Sequence, residues 1–158
     1  MSFEKAHNYL ESRGYADRIL KFDVSSATVA LAAQAIGCKE AEIAKSLTFM
    51  VEGAPVMIIC AGDVKIDNSK FKGFFRTKAV MLRYEEVSEL IGHEVGGVCP
   101  FGINDGVAVY LDESLRRFDT VYPACGDAAS AVKLTVDELA ALSQSKETVD
   151  VCKMTEAQ

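Results

Sequence analysis

Phe3, Ala6 and Leu10 recur at helical spacing, and Gly14 follows where a helix can end in the left-handed conformation. Ser25 or Ser26 is placed to cap a second helix, Ala27 to Ile36, which Gly37 closes. A short helix around Glu40 to Ala44 is expected to deliver Lys45. The period then changes: Ser46 to Val51 and Val56 to Ala61 are β-rich runs around Glu52-Gly53-Ala54-Pro55 and predict a hairpin. Asp67 or Asn68 can cap a helix to about Phe75. Ala79 to Leu82 reads as a strand, Glu85 to Ile91 as a helix ending at Gly92, and Val107 to Leu111 as a strand. A helical turn over Asp112 to Leu115, a strand over Thr120 to Tyr122 and a last strand over Ala131 to Leu134 follow. Thr135-Val136-Asp137-Glu138 has the spacing of a capping box and opens a helix to Leu142.

Strands outnumber the helices that could serve as parallel crossovers, and several are joined by short turns. The expected class is therefore α+β, a mixed or antiparallel sheet with helices packed around it. A chain of 158 residues with 49% hydrophobic content can bury one real core, so one domain is expected over residues 1–144. From Ser145 to 158 the chain is polar and poorly periodic and reads as a C-terminal tail. The N-terminus has no basic region leading into an apolar run, and stretches such as Pro55 to Ala61 are too short to cross a bilayer. A cytoplasmic protein without membrane contact is expected.

Five scattered cysteines, Cys38, Cys60, Cys99, Cys125 and Cys152, show no Cys-x-x-Cys spacing, which points to reduced thiols rather than a disulfide framework or a zinc site. The two histidines, His7 and His93, lie far apart in sequence, so no metal and no cofactor are expected. Acidic residues exceed basic ones, 23 to 17, which argues against binding long nucleic acid or duplex DNA by charge alone. The excess is uneven. Lys65, Lys70, Lys72, Arg76, Lys78 and Arg83 stand against the single acid Asp67, either as a solvated face or as a landing site for a short phosphate backbone.

Three segments can carry chemistry. Lys45, in Ala44-Lys45-Ser46-Leu47, has an apolar setting, and its ammonium must reach water, an acid or a ligand; a snorkelling lysine is the alternative. Gly96-Gly97-Val98-Cys99-Pro100-Phe101-Gly102 has glycines where the backbone can approach closely, and its free amides can stabilise a carbonyl oxygen as it becomes an oxyanion; an ordinary turn is the alternative. Asp63, Lys65, Asp67 and Lys70 alternate in charge at a strand-to-helix transition. Cys99 is a poor candidate nucleophile, because no histidine is evidently placed to serve it.

Taken in order, Lys45, the segment Gly62-Asp63-Val64-Lys65-Ile66-Asp67 with Lys70, and the glycine turn resemble the YbaK/ProX family of aminoacyl-tRNA deacylases, from about Ala27 to Leu142. That family includes the editing domain inserted in bacterial prolyl-tRNA synthetases. The resemblance implies a curved, partly closed sheet flanked by helices, and hydrolysis of the ester joining a wrong amino acid to the 3′ end of a tRNA. Alanine, cysteine, serine and threonine are within the family's range, with tRNA for proline and prolyl-tRNA synthetase as the associated partners.

By the same resemblance Lys45 holds the substrate through a phosphate or carbonyl oxygen, and Gly96, Gly97, Val98 and Gly102 bind the acyl carbonyl. Ser25, Ser26, Thr28 and Val29 lie near the acyl group with Pro100 and Phe101, and Lys65 and Lys70 meet phosphate. Ala131 stands where some family members carry an acid or a histidine. Two other classes remain: a non-catalytic module that holds an aminoacyl or nucleotide end, and a DNA-binding protein, which the acidic charge and the lack of a helix-turn-helix pattern disfavour.

Overall fold

The structure, a computed structural model, describes residues 2–155. Helix α1 (Ser2–Glu11) buries Ala6 and Leu10 one turn apart, and the chain leaves it through Gly14 at φ 84°. Strand β1 (Ile19–Lys21) leads to α2 (Val29–Ile36), which ends at Gly37 in the left-handed region. The cap of α2 is Thr28 and not Ser25 or Ser26. Its Oγ1 accepts from the Leu31 amide at 3.1 Å, whereas Ser25 Oγ accepts from Ala27, one turn too early to serve the helix.

The hairpin forms as expected from β2 (Ile43–Val51) and β3 (Ala54–Ala61). Glu52 and Gly53, at φ 50° and 80°, supply the two left-handed residues that a tight hairpin turn of matching twist requires. The expected helix before Lys45 is only a 3-10 turn over Glu40–Glu42, and Lys45 is the third residue of β2. β3 is buried from Val56 to Ala61, as expected of a continuous apolar run covered on both faces. After β4 (Val64–Ile66), the Asp67 carboxylate accepts from the Ser69 and Lys70 amides and caps α3 (Asn68–Phe75).

The expected strand over Ala79 to Leu82 does not form. The Met50 amide donates to Val80 and the Leu82 amide to Thr48, fastening the segment to β2 through one bridge, Phe49 to Met81. The ladder stops there because the Arg83 amide is taken by Glu86 and α4 (Tyr84–Glu86) begins. It runs on as a π-helical turn, Val87–Ile91, to Gly92.

Strands β5 (Ala108–Asp112), β6 (Thr120–Pro123), β7 (Ser130–Val132) and β8 (Leu134–Thr135) precede α5 (Val136–Ser143), whose capping box from Thr135 and Glu138 is present. The last strand anticipated over Ala131 to Leu134 is thus two strands, and neither is last. β9 (Thr148–Val149) and β10 (Cys152–Met154) follow, pairing with β5 and β4, and Val149, Val151 and Cys152 are buried. Residues 145–155 are therefore not a free tail: they pair into the sheets and give Val149, Val151 and Cys152 to the core, while most of the others stay exposed. The few apolar residues are too short a run to show a period, and their partners lie far back in the chain.

The main sheet is mixed, in the order β8-β6-β2-β3-β5-β9, with two-stranded β1-β7 and β4-β10 beside it. Together they make the curled, partly closed α+β architecture that the resemblance implies. One detail positions the site. The edge of β2 away from β3 is covered by β6 at Ile43 and Ala44, and by the Val80 to Leu82 segment at Thr48 to Met50. Between these two, at Lys45, Ser46 and Leu47, that edge has no partner strand among the described residues. Among those residues no helix is long and apolar enough to cross a membrane.

Candidate functional site

A cavity of about 350 Å³ opens at this gap, at the small end of the range for ligand pockets. Lys45, Ser46 and Leu47 form its floor, the start of α2 (Ser26 to Val29) one wall, Gly96 and Val98 another, and Ser130 and Ala131 lie opposite. Among the described residues Lys45 is the one charged residue lining it, and no acid or histidine does. The rest of the lining mixes hydroxyl residues with small apolar ones, and Ala27, Ala32, Ala44, Ala124 and Ala131 leave the space.

The Lys45 ammonium donates to the Val64 carbonyl of β4. It has no carboxylate ion-pair partner among the described residues. Asp63, next to Val64, is the acid that could have taken it. Arg117 claims that carboxylate instead with two bonds of 2.6 and 3.0 Å, and this pairing holds the Asp63 carboxyl below its ordinary range against the opposing effect of burial. A cation held by a carbonyl dipole rather than a counter-charge keeps its charge available to an incoming oxygen anion.

Two hydroxyls beside it are also uncommitted. Ser26 Oγ and Ser46 Oγ are buried without a hydrogen-bond partner among the described residues, and both residues line the cavity. Neither hydroxyl is used by the fold among the described residues, so each is free to bond a polar atom that enters the cavity. Thr28 differs, its hydroxyl being spent on the cap of α2. The amide of Ser26 is bonded to Ala128 at 2.6 Å, which ties the entrance of α2 to the turn before β7.

The glycine turn divides in two. Gly96 and Val98 face the cavity, and their amides donate to no other group among the described residues. The Gly97 amide is already given to Glu94 at 3.0 Å, so it is not one of the free donors expected. Gly97 serves close approach instead, since a Cβ there would lie 2.3 Å from the backbone nitrogen of Asp127. Cys99, Pro100 and Phe101 are buried, and Gly102, at φ 71°, abuts the Lys5 carbonyl of α1. Pro100, Phe101 and Gly102 are therefore not in the cavity; Phe101 is drawn inward because its ring belongs to the core. Gly126 and Asp127 form the turn against which the glycine loop rests. Burial works to raise the Asp127 carboxyl, but Lys21, Ser130 and the Ala129 amide outweigh it and hold it low.

The expected lack of a histidine near Cys99 is overturned. His93 Nε2 lies 3.5 Å from its sulfur, six residues away along a loop that folds back on itself. The pair is nonetheless unfit for nucleophilic chemistry. Nε2 is 2.6 Å from the Phe101 carbonyl, which can only accept, so this nitrogen carries the proton and cannot take another from the thiol. Nδ1 accepts from Ser2 Oγ at 2.8 Å. Burial pushes the His93 pKa down and the Cys99 thiol up, and neither residue lines the cavity.

Lys65 and Lys70 do not reach the site. Lys70 donates to Asp150 at 2.9 Å and to the Cys152 carbonyl at 3.0 Å, and Lys65 lies opposite Lys153 in the β4-β10 pair. The C-terminal segment thus engages Lys70, the one lysine of the basic stretch that it binds among the described residues. Ser25 is likewise exposed outside the cavity, whereas Ser26, Thr28 and Val29 line it. Sequence reasoning missed Ser46, Met81, Tyr84, Val95 and Tyr122. Ser46 could have been noticed beside Lys45, but the others carry no local signal. Among the described residues no group of three or more histidine, cysteine or carboxylate side chains is gathered as a metal ion would require.

Comparison with known proteins bears on the family and the fold. Over 154 residues, 97% of this chain and 98% of the relative, the sequence is 49% identical to the uncharacterized protein YwhH of Bacillus subtilis (strain 168). It is 32% identical over 72 residues to a proline–tRNA ligase of Bacillus cereus (strain AH820), a match spanning 45% of this chain and only 13% of the ligase. Among solved structures, a proposed trans-editing enzyme for prolyl tRNA synthetase superposes with a TM-score of 0.87 at 31% identity, over 96% of this chain and 97% of that one. The hypothetical protein APE2540 superposes with a TM-score of 0.84 at 26% identity, over 94% and 99%. The family model for the aminoacyl-tRNA editing domain matches residues 24–142, which contain the whole cavity, and the chain belongs to that family.

Proposed function

We propose that this protein is a trans-acting aminoacyl-tRNA deacylase that hydrolyses the ester between a small amino acid and the 3′-terminal adenosine of a tRNA. The observation that carries the reading is the composition of the cavity: among the described residues, one cation without an ion-pair partner, two uncommitted loop amides, and no acid or histidine to act as general base. Such a site is suited to stabilising charge that develops on an oxygen rather than to removing a proton itself.

The chemistry follows from that division of labour. The Gly96 and Val98 amides receive the acyl carbonyl oxygen, and the Lys45 ammonium neutralises either this oxygen or a neighbouring phosphate. Water attacks the carbonyl carbon, assisted by the adjacent ribose hydroxyl or by a hydroxyl or thiol of the acyl group. The carbon–oxygen ester bond then breaks, the ribose oxygen takes a proton, and free amino acid leaves. Ser26 and Ser46 offer hydrogen bonds to the polar atoms of the bound aminoacyl group, while the alanines favour a short side chain. Orientation and electrostatic preorganisation supply the acceleration. Alanine, cysteine, serine and threonine fit, on tRNA for proline or a related tRNA. Work in the cytoplasm beside a prolyl-tRNA synthetase accords with the ligase match.

The test is release of labelled amino acid from a panel of tRNAs carrying alanine, cysteine, serine, threonine or phenylalanine. Turnover of at least one small aminoacyl-tRNA, with phenylalanyl-tRNA slowest, is expected. Tight binding of the panel without release of any amino acid would replace the enzyme with a binding module.

A further inference from the structure

Tyr84 is 76% exposed, the most exposed large hydrophobic side chain among the described residues. Its ring packs on no other aromatic and its hydroxyl bonds to nothing among those residues. It stands on the rim of the cavity with Met81, 57% exposed, and Val95, 49% exposed. Three large apolar side chains left in water at one rim form a patch that the fold itself does not use. Met81 is held there by the bridge to Phe49 of β2, Tyr84 opens α4, and Val95 directly precedes Gly96 of the loop. The patch thus joins the floor of the cavity to the wall that carries the free amides.

We infer that Tyr84, flanked by Met81 and Val95, is the stacking platform for the terminal nucleobase of the RNA substrate. This rests on the deacylase reading above. The acyl ester is carried on the terminal ribose. When the acyl group lies between Lys45 and Gly96, the base of the same nucleoside is one sugar ring away, which is the rim. Single-stranded nucleic acid ends are held by aromatic faces on which an unpaired base stacks, with apolar neighbours excluding water from the ring edge. The charge of the rim favours a base over a phosphate. The adjacent guanidinium, Arg83, is already engaged by Glu86 at 3.3 Å and Glu85 at 3.8 Å, so one cation against two carboxylates leaves no free positive charge there for a phosphate.

The experiment compares wild type, Tyr84→Ala and Tyr84→Phe on the best misacylated tRNA and on the same tRNA lacking the terminal base but keeping the acylated ribose. Stacking of one base is worth roughly 5- to 150-fold in kcat/KM. Tyr84→Ala is expected to lose that factor and Tyr84→Phe to stay within about twofold. On the abasic substrate wild type and Tyr84→Ala should converge, the mark of two groups acting on each other. Undiminished turnover by Tyr84→Ala, or equal losses on both substrates, overturns the platform. A parallel binding measurement uses uncharged tRNA with 2-aminopurine as its last base. Its fluorescence should be quenched by wild type and not by Tyr84→Ala, and equal signals overturn the inference. Absence of turnover on every misacylated tRNA refutes the deacylase reading, and quenching then decides the platform by itself. At 76% exposure the substitution leaves folding essentially unchanged.

Discussion

Lys45→Ala separates what the ammonium does for the fold from what it does for the reaction. In the fold it gives one hydrogen bond, to the Val64 carbonyl, and no ion pair among the described residues. Losing one such bond from a charged, partly buried donor costs about 1.5 kcal/mol net, which lowers Tm by about 3–6 °C in a chain of this size. In the reaction it is the only charge lining the cavity among the described residues. Removing one preorganised electrostatic contact at a developing oxyanion costs on the order of 10² to 10³ in rate, about 2.7–4 kcal/mol. The two effects are far enough apart to be read separately. Single-turnover hydrolysis of the best misacylated tRNA should fall by that factor, while thermal melting followed by circular dichroism shifts by only a few degrees. Lys45→Arg should also be slow, because a planar fork cannot take the place of a compact ammonium beneath the β4 carbonyl. If folded Lys45→Ala hydrolyses that tRNA at the wild-type rate, the electrostatic role of this lysine is wrong.

Three further outcomes follow from the geometry. Cys99→Ser should keep most of the deacylation, since the buried thiol faces a nitrogen that already holds a proton; loss of turnover with a trapped aminoacyl-enzyme would substitute a covalent mechanism. Gly97→Ala places a Cβ 2.3 Å from backbone and should cost about 1–3 kcal/mol, with loss of rate as the free amides of Gly96 and Val98 are displaced; an unchanged melting curve would refute the close-approach reading. The Asp63–Arg117 pair gives a pH signature. Arg117 depresses the Asp63 pKa in the folded state, so the pair stabilises above about pH 4 and this is lost as pH falls through the folded value. For a partly exposed pair the contribution is about 1 kcal/mol at most. Chemical denaturation of wild type and Arg117→Met should therefore differ near neutrality and converge in acid, and a difference that persists at low pH would exclude this origin.

What the sequence determined by itself is whatever neighbours along the chain decide. The Glu52-Gly53 turn, the Asp67 cap, the Thr135 capping box and the left-handed ends at Gly37 and Gly92 each depend on a few adjacent residues, and all are where the local pattern puts them. The family resemblance added the lysine, the glycine loop and the order in which they occur. Tertiary structure decided which of these meet. Gly96 and Val98 reach the cavity while Pro100, Phe101 and Gly102 turn into the core, because the hydrophobic drive on Phe101 acts through partners distant in sequence. Lys70 is removed from the site by Asp150, whose strand neighbourhood was too short to show a period. His93 meets Cys99 through a loop reversal, and Tyr84 becomes a rim residue only because α4 starts where the Met81 segment leaves β2. Lys45 keeps an available charge because Arg117 takes Asp63 first, a competition between side chains that only the folded arrangement brings within reach.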